Sequence, residues 1–146
     1  MNIKKLFLVV AALFASGSFA QAACPIFAES IGQVEGVEAC QLDGKKFTDS
    51  DLLLTSDKLW VLKGAVFIGD DNKKSSTLII QPGTKIVGQT GADFLVISRG
   101  SKIFAEGTAN KPIVFTSAKT KDRKRGEWGG IIINGNAPIN LSLIHI

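Results

Sequence analysis

The sequence predicts an all-β protein that folds as a right-handed parallel β-helix, and three observations support this fold class. From Leu59 onward the chain consists of short runs rich in β-branched residues, separated by Gly, Asn and Pro. These runs share a register in which a corner residue, most often glycine, follows each aliphatic stretch. The register recurs at a spacing of roughly 20 residues, which is typical of stacked solenoid repeats.

Three runs align on their corner glycines, and a fourth keeps the pattern with Asn136 at a glycine position. They are 59–69 (LWVLKGAVFIG), 78–88 (LIIQPGTKIVG), 95–105 (LVISRGSKIFA) and 131–139 (IIINGNAPI). Their starting positions 59, 78, 95 and 131 lie 19, 17 and 36 residues apart. The last interval also contains 112–116, which we expect to be an extra strand. Each run is interpreted as two short strands joined by a corner, which cannot bury an apolar face alone.

Stacking of these units solves the burial problem, because equivalent strands of successive coils pair in parallel and their aliphatic side chains form ladders inside. We expect positive φ at the corner glycines Gly64, Gly83 and Gly100, a backbone conformation that glycine adopts without cost. An antiparallel sandwich or barrel also gives short strands at regular spacing. It gives no reason for one register to recur, so coils of a parallel β-helix are predicted for 59–140.

The first 22 residues have the order of a secretory signal peptide. Two lysines precede the uncharged run 6–15, and residues 20–22 (AQA) offer small side chains at a cleavage site. We expect cleavage after Ala22 and export to the periplasm, to the outer-membrane surface or into the medium. An uncleaved anchor is the alternative interpretation of the same segment.

Cys24 and Cys40 are the only cysteines of the chain. In an oxidising compartment they predict a disulfide that stabilises the fold by about 3 kcal/mol. The disulfide would pin a small N-terminal cap segment, residues 23–58, ahead of the coils. A zinc site is not predicted, because two thiols are half a ligand set and no His lies near them. A lipid-modified Cys24 is a further alternative, although Gln21 stands where lipoprotein signals usually have Leu.

Charge and histidine content exclude several classes of function. The formal charge of +4 falls to +2 when residues 1–22 are removed, because that segment holds two lysines and no acid. A nucleic-acid binder has a much more basic surface, so no nucleic-acid partner is predicted. The single histidine is His145, so histidine-dependent triads and histidine-rich metal sites have no other candidate. We assign no catalytic residue, no cofactor and no metal site.

Two groups of residues with side-chain oxygen atoms could carry chemistry. Asp70, Asp71 and Asn72 offer three successive oxygen ligands of the type that calcium prefers. Adjacent loop residues seldom converge on one ion, so a solvated turn is the favoured interpretation. Glu106 and Glu127 are far apart in sequence, and their spacing predicts no catalytic pair of carboxylates.

A basic run at 119–125 and the tryptophan after it are the candidates for ligand contact. The basic residues could attract acidic glycans or lipid headgroups, and the tryptophan face suits a sugar ring. A solvated loop, and a tryptophan packed under that loop beside Gly129 and Gly130, are the alternatives. The candidate residues are Lys121, Arg123, Arg125 and Trp128.

The blocks 78–88, 95–117 and 125–139 resemble the N-terminal part of secreted or surface β-helix proteins of Gram-negative bacteria, including spirochaete outer-membrane lipoproteins. The resemblance covers about residues 59–140. It implies a β-helix, a location in the cell envelope or outside the cell, and a longer protein whose coils continue. Residues 141–146 (LSLIHI) leave the pattern and match a translated sequencing adapter, so we expect a non-native tail. A natural terminal strand is the alternative.

These observations predict an exported structural or surface β-helix protein, adhesive or acting as a display scaffold, with no catalysis in this fragment. Its expected partners are surface glycans or other envelope components. The alternative is the N-terminal fragment of a carbohydrate-active β-helix enzyme of the polysaccharide lyase or hydrolase type. In that case the catalytic residues would lie beyond residue 140.

Overall fold

The computed structural model describes residues 23–137, so the predictions for residues 1–22 and 141–146 lie outside the described part. Residues 23–137 form twelve strands and no helix, and thus contain no helix long and apolar enough to cross a membrane. The strands are β1 Glu29–Val34, β2 Val37–Asp43, β3 Lys46–Phe47, β4 Leu52–Leu54, β5 Leu59–Lys63, β6 Ala65–Ile68, β7 Thr77–Ile80, β8 Lys85–Gly88, β9 Phe94–Ile97, β10 Lys102–Ala105, β11 Val114–Ser117 and β12 Gly130–Ile133.

The strands form three sheets that the chain visits in a fixed order. Sheet A has the order β1-β2-β5-β8-β11, sheet B the order β12-β9-β6-β3, and sheet C the order β10-β7-β4. Strands β2, β3 and β4 thus lie in sheets A, B and C, and the next strands return to the same sheets in turn. We call three such successive strands a round. All pairs are parallel except β1 with β2, which confirms the predicted all-β chain with parallel sheets.

The spacing of roughly 20 residues is not the length of one round. Leu59 pairs with Lys85 in sheet A, whereas Leu78 pairs with Ile103 in sheet C and Leu95 pairs with its partner in sheet B. Side-chain hydrogen bonds between neighbouring rounds join residues 24 to 30 positions apart. The aligned runs are therefore corners between different pairs of sheets. The expectation that these runs stack directly on one another is wrong, because each of the first three runs holds two successive strands, whereas a round holds three.

The corner glycines explain why the register nevertheless recurs. Gly64, Gly83 and Gly100 have φ values of 72°, 86° and 82°, which confirms the predicted positive φ. At such angles a Cβ is sterically unfavourable, so each corner selects glycine irrespective of the sheets that it joins. The expected extra strand at 112–116 is present as β11 and extends sheet A.

The parallel sheets begin earlier in the chain than the sequence suggests. Strands β2, β3 and β4 lie within the range assigned to an N-terminal cap segment, and they pair in parallel with β5, β6 and β7. The two shortest of them contribute Phe47, Leu52 and Leu54 to the core. Strands of two or three residues are too short to show alternation, which is why the sequence does not reveal them. Residues 23–36 precede the first parallel strand of the cap segment, and β1 within them pairs antiparallel with β2.

The core is a stack of inward-facing aliphatic side chains. Leu52 and Ile103 flank Leu78 in sheet C, and Val66 and Ile131 flank Leu95 in sheet B. The ladders are fully covered in the middle rounds, where Leu78 and Val66 have no exposed surface. Ile131 is 38% exposed, because no further strand covers it within residues 23–137.

A disulfide closes the end of this core at the first round. Cys24 and Cys40 are bonded, with 5.6 Å between their Cα atoms, which confirms the predicted pair. The bond holds Phe27 against the fully buried Trp60, whose ring lies 6.0 Å away and nearly parallel. Because the Cys24 Sγ is bonded to Cys40, it is not available for a lipid thioether, and the lipidation alternative does not fit this structure.

Candidate binding groove

A groove lies on the outer face of sheet A. Its floor consists of Leu59 and Val61 from β5 and Lys85 and Val87 from β8, and the cavity above them has a volume of about 110 Å³. Successive strand residues point to opposite faces of a sheet. The same strands therefore send Trp60 into the core and still present an aliphatic outer surface.

One wall of the groove is the β1–β2 hairpin. Ile31, Val34 and Glu35 line the cavity from this side. The turn residues Glu35 and Gly36 have φ values of 53° and 79°, the positive angles that a type I′ turn requires. The pairing of β1 with β2 is irregular before the turn. Such a bulge bends a strand, which is consistent with a hairpin that reaches the outer face of sheet A.

The loop after β11 forms the opposite wall. Ala118, Thr120 and Arg123 line the cavity from this loop. The loop is held by its own contacts: Lys119 Nζ lies 2.9 Å from Glu127 Oε1, and Arg123 Nε donates to the Lys119 carbonyl oxygen at 2.7 Å. The hydrogen bond from Lys119 lowers the pKa of Glu127 and outweighs the opposing effect of desolvation. The loop thus presents Arg123 from an internally bonded segment.

The groove is elongated in the direction of the strands. A second cavity of about 140 Å³ shares Val34, Glu35, Leu59 and Lys85 with the first and extends to Gly83. Lining residues of β8 and its flanks run from position 83 to position 89. Strand β8 spans four of these positions, about 13 Å at about 3.3 Å per strand residue, because Gly83 lies in the corner before it. We call the two joined cavities the sheet A groove.

The charges of the sheet A groove are mainly positive. Lys85 rises from the floor and Arg123 from the loop wall. Within residues 23–137, neither side chain is part of an ion pair. Glu35 on the hairpin wall is the acidic residue of the lining. The groove therefore combines an aliphatic floor with two cations that have no acidic partner.

The four ligand-contact candidates from the sequence are not brought together. Arg123 lines the sheet A groove, whereas Lys121 and Arg125 are exposed on the same loop without lining it. Trp128 stacks on Phe115, with ring centroids 6.4 Å apart and planes 9° apart, and it packs against the core. This packing favours the alternative role of Trp128 under the loop.

The sequence gives only a weak indication that Val61 and Val87 line the groove. Val61 and Val87 are valines at positions that alternate with the core residues of their strands. They are 3% and 4% exposed, although they face outward. An apolar residue on the outer face of a strand indicates that something covers that face. The hairpin that covers it is adjacent only in three dimensions.

The oxygen ligands at 70–72 do not converge on an ion. Asp71 accepts two hydrogen bonds from Arg99, at 2.6 and 2.9 Å, and Asp70 pairs with Lys46. Asn72 exchanges amide hydrogen bonds with Asn136, at 3.0 and 3.1 Å. No group of three or more His, Cys, Asp or Glu residues that could hold a metal ion occurs within the described range 23–137. The favoured interpretation of a turn agrees with these contacts.

Asp93 is a buried carboxylate that the sequence does not reveal. It is 5% exposed and accepts hydrogen bonds from the backbone amides of Gly64, Gln89 and Thr90, at 2.7, 2.8 and 2.7 Å. Burial alone would raise the pKa of Asp93, but the backbone hydrogen bonds outweigh burial and lower it. Asp93 therefore remains ionised and joins one round to the next.

Comparison with known proteins places this architecture in a family. A family model described as a pectate-lyase-like beta helix domain matches residues 45–144. No curated protein and no solved structure matches the chain. The matched range begins just before β3 and covers all later strands, in agreement with parallel sheets that start before residue 59. The chain belongs to the family of pectate-lyase-like β-helix domains.

Proposed function

We propose that this chain is a non-catalytic β-helix scaffold of an exported protein, whose outer surface binds a partner outside the cytoplasm. The proposal rests on one observation: aspartate side chains form ion pairs and hydrogen bonds that join one round to another. Asp71 binds Arg99, and Asp93 binds the Gly64 amide. Asp49 binds Lys74, and Asp51 accepts from the Thr77 amide. Each of these contacts joins residues that are 25 to 29 positions apart.

The acid–base properties of these carboxylates support the same conclusion. A general acid or base works best when its pKa lies near the operating pH. The carboxyl groups with clearly shifted pKa values all shift downward, away from neutral pH. They are Asp49, Asp57, Asp70, Asp71, Asp93 and Glu127. Lowered pKa values fit carboxylates that hold cations and amides, and this supports the scaffold proposal.

Export is supported by two independent features. The signal pattern in residues 1–22 predicts cleavage after Ala22, and the Cys24–Cys40 disulfide is of a kind that persists in oxidising compartments. We propose the periplasm, the outer-membrane surface or the medium as the location. We also propose that the rounds wind as right-handed coils, the hand that crossover connections between parallel strands strongly prefer. Residues 23–36 would cap the first coil.

A second candidate function follows from the family. A pectate-lyase-like domain is also consistent with a fragment of a carbohydrate-active enzyme. Its catalytic cluster would then lie outside residues 23–137. The two functions differ in whether this chain turns over a polysaccharide by itself.

The test is to incubate the purified chain with polygalacturonate and with neutral polysaccharides, and to follow unsaturated products and new reducing ends. The scaffold proposal predicts no turnover above that of a heat-denatured sample. Turnover that is lost in the variant Lys85→Ala or Asp71→Asn would overturn the proposal and support the enzyme. A contaminating activity would be unaffected by both substitutions.

A further inference from the structure

We propose that the outer face of sheet C is a self-association surface, through which two copies of this chain pack face to face as a symmetric dimer. The inference goes beyond the proposed function, because a scaffold and an enzyme fragment can both dimerise in this way. Three features support it: a row of exposed apolar side chains, two charged residues that flank the row, and the match of these residues under two-fold symmetry.

Three large apolar side chains form one row on the outer face of sheet C. Ile79 of β7 pairs with Leu53 of β4 on one side and with Phe104 of β10 on the other. Leu78, the residue before Ile79, has no exposed surface, so the alternation of the strand points Ile79 and its partners outward. Leu53, Ile79 and Phe104 are 44%, 40% and 50% exposed. We call these three residues the sheet C ladder.

The sheet C ladder differs from the apolar outer face of sheet A in having no cover. In sheet A the β1–β2 hairpin lies over Val61 and Val87, which are nearly fully buried. No segment of residues 23–137 buries the sheet C ladder to a similar extent. A contiguous exposed apolar row is typical of a surface that contacts another molecule.

Two oppositely charged residues flank the ladder on β10. Lys102 precedes Phe104 by two positions and Glu106 follows it by two, so both continue the outward-facing alternation of the strand. Both are exposed, and neither takes part in an ion pair among the described residues. Four strand positions correspond to about 13 Å, which is too far for a direct contact between the two charges in one copy.

A two-fold axis along the ladder, midway between two copies, gives both charges a partner. Such an axis places each ladder residue opposite its own counterpart and exchanges the two sides of the ladder. Lys102 of each copy then faces Glu106 of the other, and the dimer gains two ion pairs. On β7 the same axis brings Thr77 opposite Gln81. The Gln81 amide can donate to the Thr77 hydroxyl oxygen, since its Oε1 atom already accepts from the Ser56 amide.

This match selects a second copy of the chain and one direction of the axis. With an axis along the strands, Lys102 would face Asp51, whose Oδ1 atom already accepts a hydrogen bond from the Thr77 amide at 2.7 Å. Glu106 would then have no cation opposite it. The axis along the ladder is therefore favoured, because it pairs both charges at once.

The size of the face sets the strength of the dimer. Three strands about 4.8 Å apart, each contributing about five residues, give a face of roughly 14 by 17 Å. This is smaller than the roughly 800 Å² per partner of a stable complex. We therefore expect weak, reversible association with a Kd on the order of 100 µM.

Sedimentation equilibrium at low salt, over concentrations on both sides of this Kd, measures the association. Ile79→Lys should abolish it, because two ammonium groups would meet near the axis. Lys102→Glu and Glu106→Lys should each weaken it by about fivefold. The double variant Lys102→Glu/Glu106→Lys should restore it, since the two charges only exchange sides. The matched control Lys121→Glu makes the same charge change at an exposed loop position and should have no effect.

Two results of this experiment would overturn the proposal: a protein that stays monomeric, or a double variant no stronger than the single ones. Ile132→Lys tests a different surface, because Ile132 is 45% exposed on β12 of sheet B. A loss of association in Ile132→Lys but not in Ile79→Lys would assign the contact to sheet B and would also overturn the proposal. Circular dichroism establishes that each variant is folded.

Carbodiimide cross-linking tests the predicted contact itself. The reagent activates the Glu106 carboxylate, the Lys102 amine displaces the resulting urea, and an amide bond remains. In an equal mixture of isotope-labelled and unlabelled protein, we expect Lys102–Glu106 peptides with one labelled and one unlabelled half. Cross-linked peptides of uniform label only would show a contact within one chain and would contradict the dimer. These outcomes are independent of polysaccharide turnover, which tests the proposed scaffold function.

Discussion

The Asp93 carboxylate lies 2.7 Å from the backbone nitrogen of Gly64 and so connects two successive rounds of the β-helix domain. The acceptor is buried, and the donor belongs to a corner with positive φ. Removal of the carboxylate would leave three backbone amides without their acceptor. The bond between Asp93 and Gly64 explains how the corner of one round is held in place against the next round.

The substitution Asp93→Ala is therefore expected to lower the free energy of unfolding by about 3 kcal/mol, since hydrogen bonds to charged groups contribute about 1.5–3 kcal/mol each and are not additive. Urea denaturation at neutral pH measures the change. Asp93→Asn is the matched control, because it keeps the shape and one acceptor oxygen, and it should cost less. An effect of Asp93→Ala below about 0.5 kcal/mol, typical of surface positions, would contradict the structural role.

The same carboxylate gives the fold a dependence on pH. The pKa of Asp93 is lower in the folded state than its ordinary value of 3.8. Its stabilising contribution is therefore complete above that ordinary value and is lost as the pH falls through the folded pKa. We expect the melting temperature to fall on acidification below about pH 4. The variant Asp93→Asn should show a smaller fall over the same range, and an identical fall would contradict the assignment.

The disulfide should stabilise the end cap. Replacement of both cysteines by alanine is expected to lower the free energy of unfolding by about 3 kcal/mol, the usual range for a loop of this size. The native protein should resist thiol alkylation until a reductant is added. Labelling of Cys24 and Cys40 under non-reducing native conditions would contradict the bonded pair.

Phe27 provides a separate test of the cap. Its ring lies parallel to that of Trp60 and edge-on to that of Phe47, at 6.0 and 6.3 Å. Phe27→Ala should expose Trp60, shift its fluorescence to longer wavelength and leave the disulfide intact. The variant Ile26→Ala is the matched control, since Ile26 is fully exposed in the same segment. An unchanged spectrum in Phe27→Ala would show that Trp60 is covered by other residues.

Replacement of a corner glycine by alanine should lower the stability of the fold. Gly83 has a φ of 86°, and a Cβ there would meet no atom closer than 3.6 Å, so the cost of Gly83→Ala is conformational. We expect a loss of about 1 kcal/mol in the free energy of unfolding. Gly135→Ala, at a position without positive φ and without close neighbours, should have little effect. Equal effects of the two substitutions would contradict the role of the corner.

Local patterns in the sequence predict the corners and the disulfide, but not the length of a round. Gly64, Gly83 and Gly100 look alike because a corner imposes a local backbone conformation. The sheets that meet at each corner depend on pairings such as Leu59 with Lys85, which are distant in sequence. The strands β3 and β4 are too short to show periodicity. They belong to the rounds because Phe47, Leu52 and Leu54 pack in the shared core.

The candidate site was also predicted only in part, because its residues come together through contacts between segments that are distant in sequence. The basic run at 119–125 drew attention to Arg123, which does line the sheet A groove. Lys85 and Val87 belong to a strand whose pattern reveals the core face but not what covers the outer face. Val34 and Glu35 reach the groove because the hairpin lies against later strands of sheet A, a contact that no local pattern in the sequence shows. Trp128 was a candidate because an aromatic face suits a sugar ring, yet it packs on Phe115.

The pKa values of the aspartate and glutamate carboxyl groups, measured by NMR titration of the carboxyl carbons, test the central claim most directly. If carboxylates of this chain join one round to the next, Asp49, Asp71 and Asp93 should titrate below the ordinary aspartate pKa. A carboxyl group among them that titrates near pH 6 to 7, roughly where a general acid or base is effective, would contradict the non-catalytic scaffold.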